Sequence, residues 1–77
     1  PRVRIIDDAI PFVGKGRNVM HGYIIGADPH LIPGQQCVVI SSSGELIAHG
    51  TAITTSSEMM YMKKGIAVKV KHGILSK

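Results

Sequence analysis

Two glycines, two cations and an asparagine stand together at Gly14-Lys15-Gly16-Arg17-Asn18, a combination suited to holding a phosphate. Glycines let a backbone approach an anion closely, exposed N–H groups can form an anion nest, and Lys15 and Arg17 supply charge. The plain alternative is a turn whose charges are merely solvated. A second cationic set lies near the end of the chain. Lys69 and Lys71 alternate with apolar residues, so an extended strand carries both on one side, about 7 Å apart, near the spacing of successive phosphates. Lysines also protect an edge strand from aggregation, and the two roles are compatible. Lys63 and Lys64 lie close by in sequence.

The remaining reactive residue types form no catalytic or metal pattern. His21, His30, His49 and His72 match no zinc spacing, and Cys37 is the one thiol, so no metal site is expected. His21 follows the glycine turn, where it is placed either to stack on a base or to fill an ordinary strand position. Asp7 and Asp8 are adjacent, so on an extended segment they point apart and make a poor acid–base pair. The serines sit in no nucleophile context, and there is no dinucleotide or P-loop motif. No catalytic residue and no cofactor is expected, and the chain reads as a non-enzyme.

The elements that must position these residues are short. Arg2 to Ile6 alternates and reads as a strand. Asp7-Asp8 ends it and caps a short helix over Ala9 to Val13, with Pro11 tolerated in its first turn. After the Gly14–Asn18 turn, Val19 to Ile25 resumes as one strand. Asp28 to Gly34 is a long connection closing in a Pro-Gly turn. Cys37 to Ile40 is a continuous apolar run, expected to be buried on both faces. Ser41 to Gly44 turns the chain into a strand from Glu45 to Ile53, in which Gly50 marks a bulge or barrel corner. Thr55-Ser56-Ser57-Glu58 fits a capping box ahead of a short helix through Met59, Met60, Tyr61 and Met62. Core packing accounts for at least two of those methionines. Gly65 then suits a helix C′ position. Ile66 to Lys71 alternates most clearly, with Ile66, Val68 and Val70 inward and Ala67, Lys69 and Lys71 outward.

Five strands and two short helices in so small a chain predict a mainly β fold, a small mixed barrel, because closure removes exposed sheet edges. Its 77 residues make one domain, 1–77, with a small core: such a chain buries only about 60% of its unfolded surface. The apolar share of 44% against 18% charged residues argues against disorder. A lone cysteine excludes an internal disulfide and points to a reducing, cytoplasmic setting. No apolar run nears the roughly 20 residues that cross a bilayer, so no membrane partner is expected. A chain opening on Pro1 is either one that has lost its initiator Met or a piece of a longer polypeptide. Net charge is +4, from nine Lys and Arg against five Asp and Glu, which permits binding to nucleic acid without requiring it.

Four segments together resemble the PUA domain. Asp8-Ala9-Ile10-Pro11-Phe12-Val13 with the Gly14–Val19 turn is similar to its opening helix and glycine-rich turn. Ala27-Asp28-Pro29 and Ile32-Pro33-Gly34-Gln35-Gln36-Cys37-Val38-Val39 resemble its "ADP…I-x-PGDEV" connection, with Gln35-Gln36 standing where Asp-Glu is usual. Gly44 to Ala52 resembles the "GELLAVGRA" hairpin, and Ser56-Ser57-Glu58-Met59 with Lys63 to Val70 resembles the closing "SxEM…KKGxAVKV". In the hairpin, His49-Gly50-Thr51 lacks the basic residue that often follows this Gly, which weakens that strand's share of any RNA contact. The likeness is strongest to the C-terminal domain of archaeosine-forming archaeal tRNA-guanine transglycosylases, with archaeal pseudouridine synthases next.

That resemblance implies a PUA-like pseudobarrel that binds structured RNA. It implies tRNA at the acceptor stem and 3′ end, with a catalytic RNA-modification domain or subunit as partner. It also implies that the glycine-rich turn, the following strand and the end of the last strand form one RNA-facing surface. The expected contact residues are therefore Gly14, Lys15, Gly16, Arg17, Asn18, His21, Lys69 and Lys71. The rival reading is a barrel that docks onto a catalytic protein partner. It requires an exposed apolar patch and binding that ignores salt.

Overall fold

In a computed structural model, which describes residues 1–76, the chain forms six strands, two one-to-two-turn α-helices and two 3-10 turns. The order is β1 (Arg2–Ile5), a 3-10 turn (Asp7–Ala9), α1 (Ile10–Val13), β2 (Val19–Met20), a second 3-10 turn (His21–Tyr23) and β3 (Ile24–Ala27). β4 (Gln36–Ile40), β5 (Leu46–Ala52), α2 (Ser56–Tyr61) and β6 (Ile66–Gly73) complete it. The strands hydrogen-bond in the order β2-β6-β5-β4-β1-β3, with β1 and β4 parallel and the other pairs antiparallel.

β2 and β3 lie at opposite ends of that order, yet only His21–Tyr23 separate them in the chain. The two ends of the sheet must therefore meet, and the sheet wraps into a nearly closed barrel. The bridging turn is held from both sides. The His21 N–H donates to the Gly65 carbonyl, just before β6, at 2.9 Å. The Ile6 N–H, just past β1, donates to Tyr23 at 2.8 Å. This closure corrects the single strand expected over Val19 to Ile25: the alternating pattern is present, but the segment breaks so that its halves pair with different strands.

Four register shifts bend the wall enough to close it, since each extra residue kinks and twists its strand. The residues left without a ladder partner are Ile25 on β3, Ile47 on β5, and Ala67 and Lys71 on β6. Gly50 sits at the last shift, as expected, and faces it closely: a Cβ there would lie 2.2 Å from the Lys69 carbonyl oxygen. The bulge at Ala67 also reverses the phase assigned to the start of β6, at Ile66 and Ala67, while Val68 and Val70 face the core and Lys69 and Lys71 face outward as expected. Ala67 and Val68 are both fully buried while Ile66 is exposed, because a bulge interrupts the two-residue alternation.

The core runs through the barrel from Val3, Ile5, Val13 and Val19 to Val39, Ile47, Met59 and Val68. In β4, Cys37, Val39 and Ile40 are buried, whereas Val38 is only partly so. The capping box forms as the sequence indicates. Thr55 Oγ1 accepts from the Glu58 N–H at 3.1 Å, and the Thr55 N–H donates to Glu58 Oε1 at 3.0 Å. Elsewhere the local readings change. α2 ends on an extended Met62, so Gly65 is no C′ residue, and only Met59 of the helix's methionines is buried. The first 3-10 turn has no side-chain cap, and Asp7 instead accepts from Ser42 Oγ at 2.7 Å. Among the described residues no helix is long and apolar enough to cross a membrane.

Candidate nucleic-acid interface

α1 is a single turn, and it aims its residues by spacing alone. Ile10 and Val13, three apart, pack inward, which leaves Phe12 half exposed at 51% beside the glycine turn. The turn is the C-terminal end of this helix rather than a free loop. The N–H groups of Gly14, Lys15, Gly16 and Arg17 donate to the carbonyls of Ile10, Phe12, Val13 and again Phe12, at 2.8 to 3.2 Å. Gly16 takes the positive φ, 103°, that lets the last of these bonds close.

The expected anion nest is therefore absent from these four groups, whose N–H bonds are already used inside the protein. What the turn offers an anion is the exposed pair of side chains, Lys15 and Arg17. Cations also suit the negative end of a helix dipole, so their placement costs the fold little.

The turn and the end of β6 are built against each other. Asn18 Oδ1 accepts the Val70 N–H at 3.0 Å, taking the place of a strand partner just before β2 begins at Val19. Gly14 receives the Leu75 N–H on its carbonyl at 2.7 Å. The same carbonyl oxygen lies 2.2 Å from where a Cβ on Gly73 would stand, so two glycine positions make the approach possible. Lys69 and Lys71 are exposed on the strand so tethered. The two cationic sets, separated by about fifty residues of sequence, thus lie on segments that are hydrogen-bonded to each other, with Lys15 and Arg17 exposed on the turn and Lys69 and Lys71 exposed on β6. Gly14 and Asn18 are the scaffold of this arrangement, and Gly16 shapes the turn between them. Lys71 is the unpaired residue of a bulge, which places it outside the simple alternation that set it beside Lys69.

His21 stands apart from this surface. It is 3% exposed, with Nδ1 3.0 Å from the Gly65 carbonyl and Nε2 3.0 Å from Thr54 Oγ1. A carbonyl only accepts, so Nδ1 carries a proton, and in the neutral ring Nε2 accepts from the Thr54 hydroxyl. No ring face is free to stack on a base. His21 instead holds the seam of the barrel.

Sequence reasoning missed Phe12 and Val70. Val70 takes part through its backbone, which no side-chain pattern reports. Phe12 was detectable: in a one-turn helix whose inward positions are Ile10 and Val13, the residue between them cannot also face the core. Ile74 and Leu75 are likewise half exposed, and the Leu75 side chain lies against Gly14.

Other groups are quieter. Burial pushes the Cys37 thiol up, against an opposing pull from the N-terminal charge, so it stays protonated rather than nucleophilic. Among the described residues no three His, Cys, Asp or Glu side chains converge to hold a metal. Thr51, opposite Lys69, brings no charge, while His49 faces His72 across β5 and β6.

The sequence matches the family model of the PUA domain over residues 1–74. It is 34% identical over 76 residues to the tRNA-guanine(15) transglycosylase of Thermococcus onnurineus, and 37% identical to that of Pyrococcus abyssi. Each alignment covers 96% of this chain but only 13% of the relative, so the chain spans a small part of the proteins it resembles. Its fold superposes on a chain of an archaeal box H/ACA sRNP Nop10-Cbf5 complex with a TM-score of 0.93 and 29% identity, over 99% of this chain and 24% of that one.

Proposed function

We propose, because the chain belongs to the PUA domain family, that it is a non-catalytic domain that binds structured RNA and positions it for a modification enzyme. The target is tRNA at its acceptor stem and 3′ end, and the catalytic centre belongs to another domain or subunit in the cytoplasm. The relatives named tRNA-guanine(15) transglycosylase support the choice of tRNA.

The observation that carries the reading is the tether between the glycine turn and β6, through Asn18 and Val70. It supports reading Lys15, Arg17, Lys69 and Lys71 as one cationic surface, with the half-exposed Phe12 ring at its border. The mechanism begins with steering by this charge. Phosphates then contact the four side chains, since A-form major grooves are too deep and narrow to be read. Unpaired 3′ bases stack on Phe12, an interaction of about 1–3 kcal/mol per base that tolerates any sequence.

The test compares an acceptor-stem hairpin carrying the unpaired 3′ nucleotides with the same hairpin ending flush. Tighter binding to the first, and loss of that preference in Phe12→Ala, is expected. Equal binding to both would remove the 3′ end from the account.

One observation favours a second reading, docking onto a catalytic partner. Tyr61 is 86% exposed, and Met60, Met62, Ile66 and Ile53 are exposed near it in sequence or across the ladder. An apolar surface of this kind suits protein contact. The two readings use different residues and are compatible. Binding that ignored salt and Phe12 but was lost in Tyr61→Ser would favour docking alone.

A further inference from the structure

Thr51 stands where the hairpin is expected to carry a charge after Gly50, yet the register gives the neighbouring His49 a cationic row of its own. Arg2 of β1 pairs with Val38 of β4, Val38 pairs with His49 of β5, and His49 pairs with His72 of β6. Residues directly opposite one another in a ladder share a face of the sheet. These four therefore form a row across the strands on the outside of the barrel, where Arg2, His49 and His72 are exposed. At about 4.8 Å per strand the row spans roughly 14 Å. At its β6 end it reaches Lys71, the bulge residue, and beyond it the Gly14–Asn18 turn. The two imidazole rings are 5.8 Å apart between centroids, tilted by 33°.

We infer that His49 and His72, with Arg2 beyond them, extend the RNA-binding surface along this row as a second contact for backbone phosphates, one whose charge depends on pH. The inference deepens the RNA-binding reading and rests on it. Histidine is the side chain that ordinarily changes charge between about pH 5 and 8. Two protonated rings at this separation repel each other, and a phosphate oxygen between or above them removes that repulsion, so binding RNA takes up protons. Lys69 and Lys71 lie on β6, Lys15 and Arg17 on the turn, and Arg2 shares an open hollow with Pro1, Gln36, Cys37, Val38 and His49. Asp28 borders the far end, its Oδ2 accepting the Arg2 N–H, and Ser76 Oγ lies 3.4 Å from His72 Nδ1.

The experiment measures binding of an unmodified tRNA transcript at pH 6 and pH 8 and constant ionic strength. It compares the wild type with the His49→Gln/His72→Gln double variant, His30→Gln and Arg17→Ala. The wild type is expected to bind about threefold to tenfold more tightly at pH 6, the range open to one or two partly protonated histidines. The double variant loses that gain and keeps its affinity at pH 8, while His30→Gln, altered at an exposed histidine outside the row, retains it. If the double variant melts early, the two single variants, each losing part of the gain, give the same answer. A pH response that survives in the double variant, or a wild type indifferent to pH yet weakened by Arg17→Ala, overturns this inference and leaves the RNA-binding reading standing. A wild type that binds the transcript at neither pH overturns both.

Discussion

Asn18 and Val70 are 52 residues apart in sequence, and the side-chain carbonyl of the first accepts the backbone N–H of the second at 3.0 Å. The bond stands where β6 has lost its neighbour β2, so a side chain completes a ladder that the backbone cannot. It also fixes the cationic turn beside the cationic strand. Stability and binding are thereby linked through one acceptor.

Removing that acceptor leaves a partly buried N–H without a partner, which costs about 1–3 kcal/mol. Asn18→Ala is expected to lower the unfolding free energy measured by urea denaturation by that amount and to weaken RNA binding at temperatures where the variant is still folded. Asn18→Asp keeps an acceptor oxygen and should retain most of the stability.

Gly73 is the other fixed point of the same contact. A Cβ there would stand 2.2 Å from the Gly14 carbonyl oxygen, so backbone must move. Gly73→Ala should destabilise the domain by at least about 1–3 kcal/mol, the usual cost of forcing extra atoms into a packed site. Thermal denaturation followed by circular dichroism measures it, and an unchanged midpoint would contradict the close approach.

How much of this was readable in advance depended on how local each cause is. The capping box at Thr55 and Glu58 lies within four residues, and it forms as read. The glycine turn was located correctly, but its N–H groups are consumed by the end of α1, a helix too short to announce its own hydrogen bonding. The alternation from Val19 to Ile25 looks like one strand, and only barrel closure breaks it at His21. The inward phase of β6 failed at Ala67 because a bulge is a property of two strands together. The surface that joins Lys15 and Arg17 to Lys69 and Lys71 arises from long-range contacts of Asn18, Gly14 and Gly73. The family resemblance implied this surface, which the residues taken alone do not predict.

His21 should behave as a structural residue. His21→Phe removes the ring's hydrogen bonds to the Gly65 carbonyl and the Thr54 hydroxyl, for a loss of about 1–3 kcal/mol. The folded variant is expected to bind RNA within about twofold of the wild type, below the roughly tenfold that 1.4 kcal/mol of lost contact would give. A selective loss of binding with unchanged stability would return His21 to the interface.

Glu58 gives the fold a specific acid response. The Thr55 N–H donates to its carboxylate, as does the Thr55 hydroxyl, and these bonds hold its pKa below the ordinary carboxylate value. A group whose pKa is lower folded than unfolded stabilises the fold above the unfolded value, and that stabilisation fades as pH falls through the folded one. Glu58→Gln should therefore show a shallower loss of stability below about pH 4.5 than the wild type. At neutral pH, Thr55→Ala should cost about 0.5–2 kcal/mol as a lost N-cap.

The central claim is that Lys15 and Arg17 meet RNA phosphates, and a salt titration of tRNA binding tests it most directly. Affinity of the wild type should fall steeply as salt rises, with log K linear in log salt. Lys15→Ala/Arg17→Ala should bind more weakly, with a slope shallower by about one for each lost contact, and with unchanged thermal stability. A double variant with the same affinity and the same slope as the wild type would contradict the account.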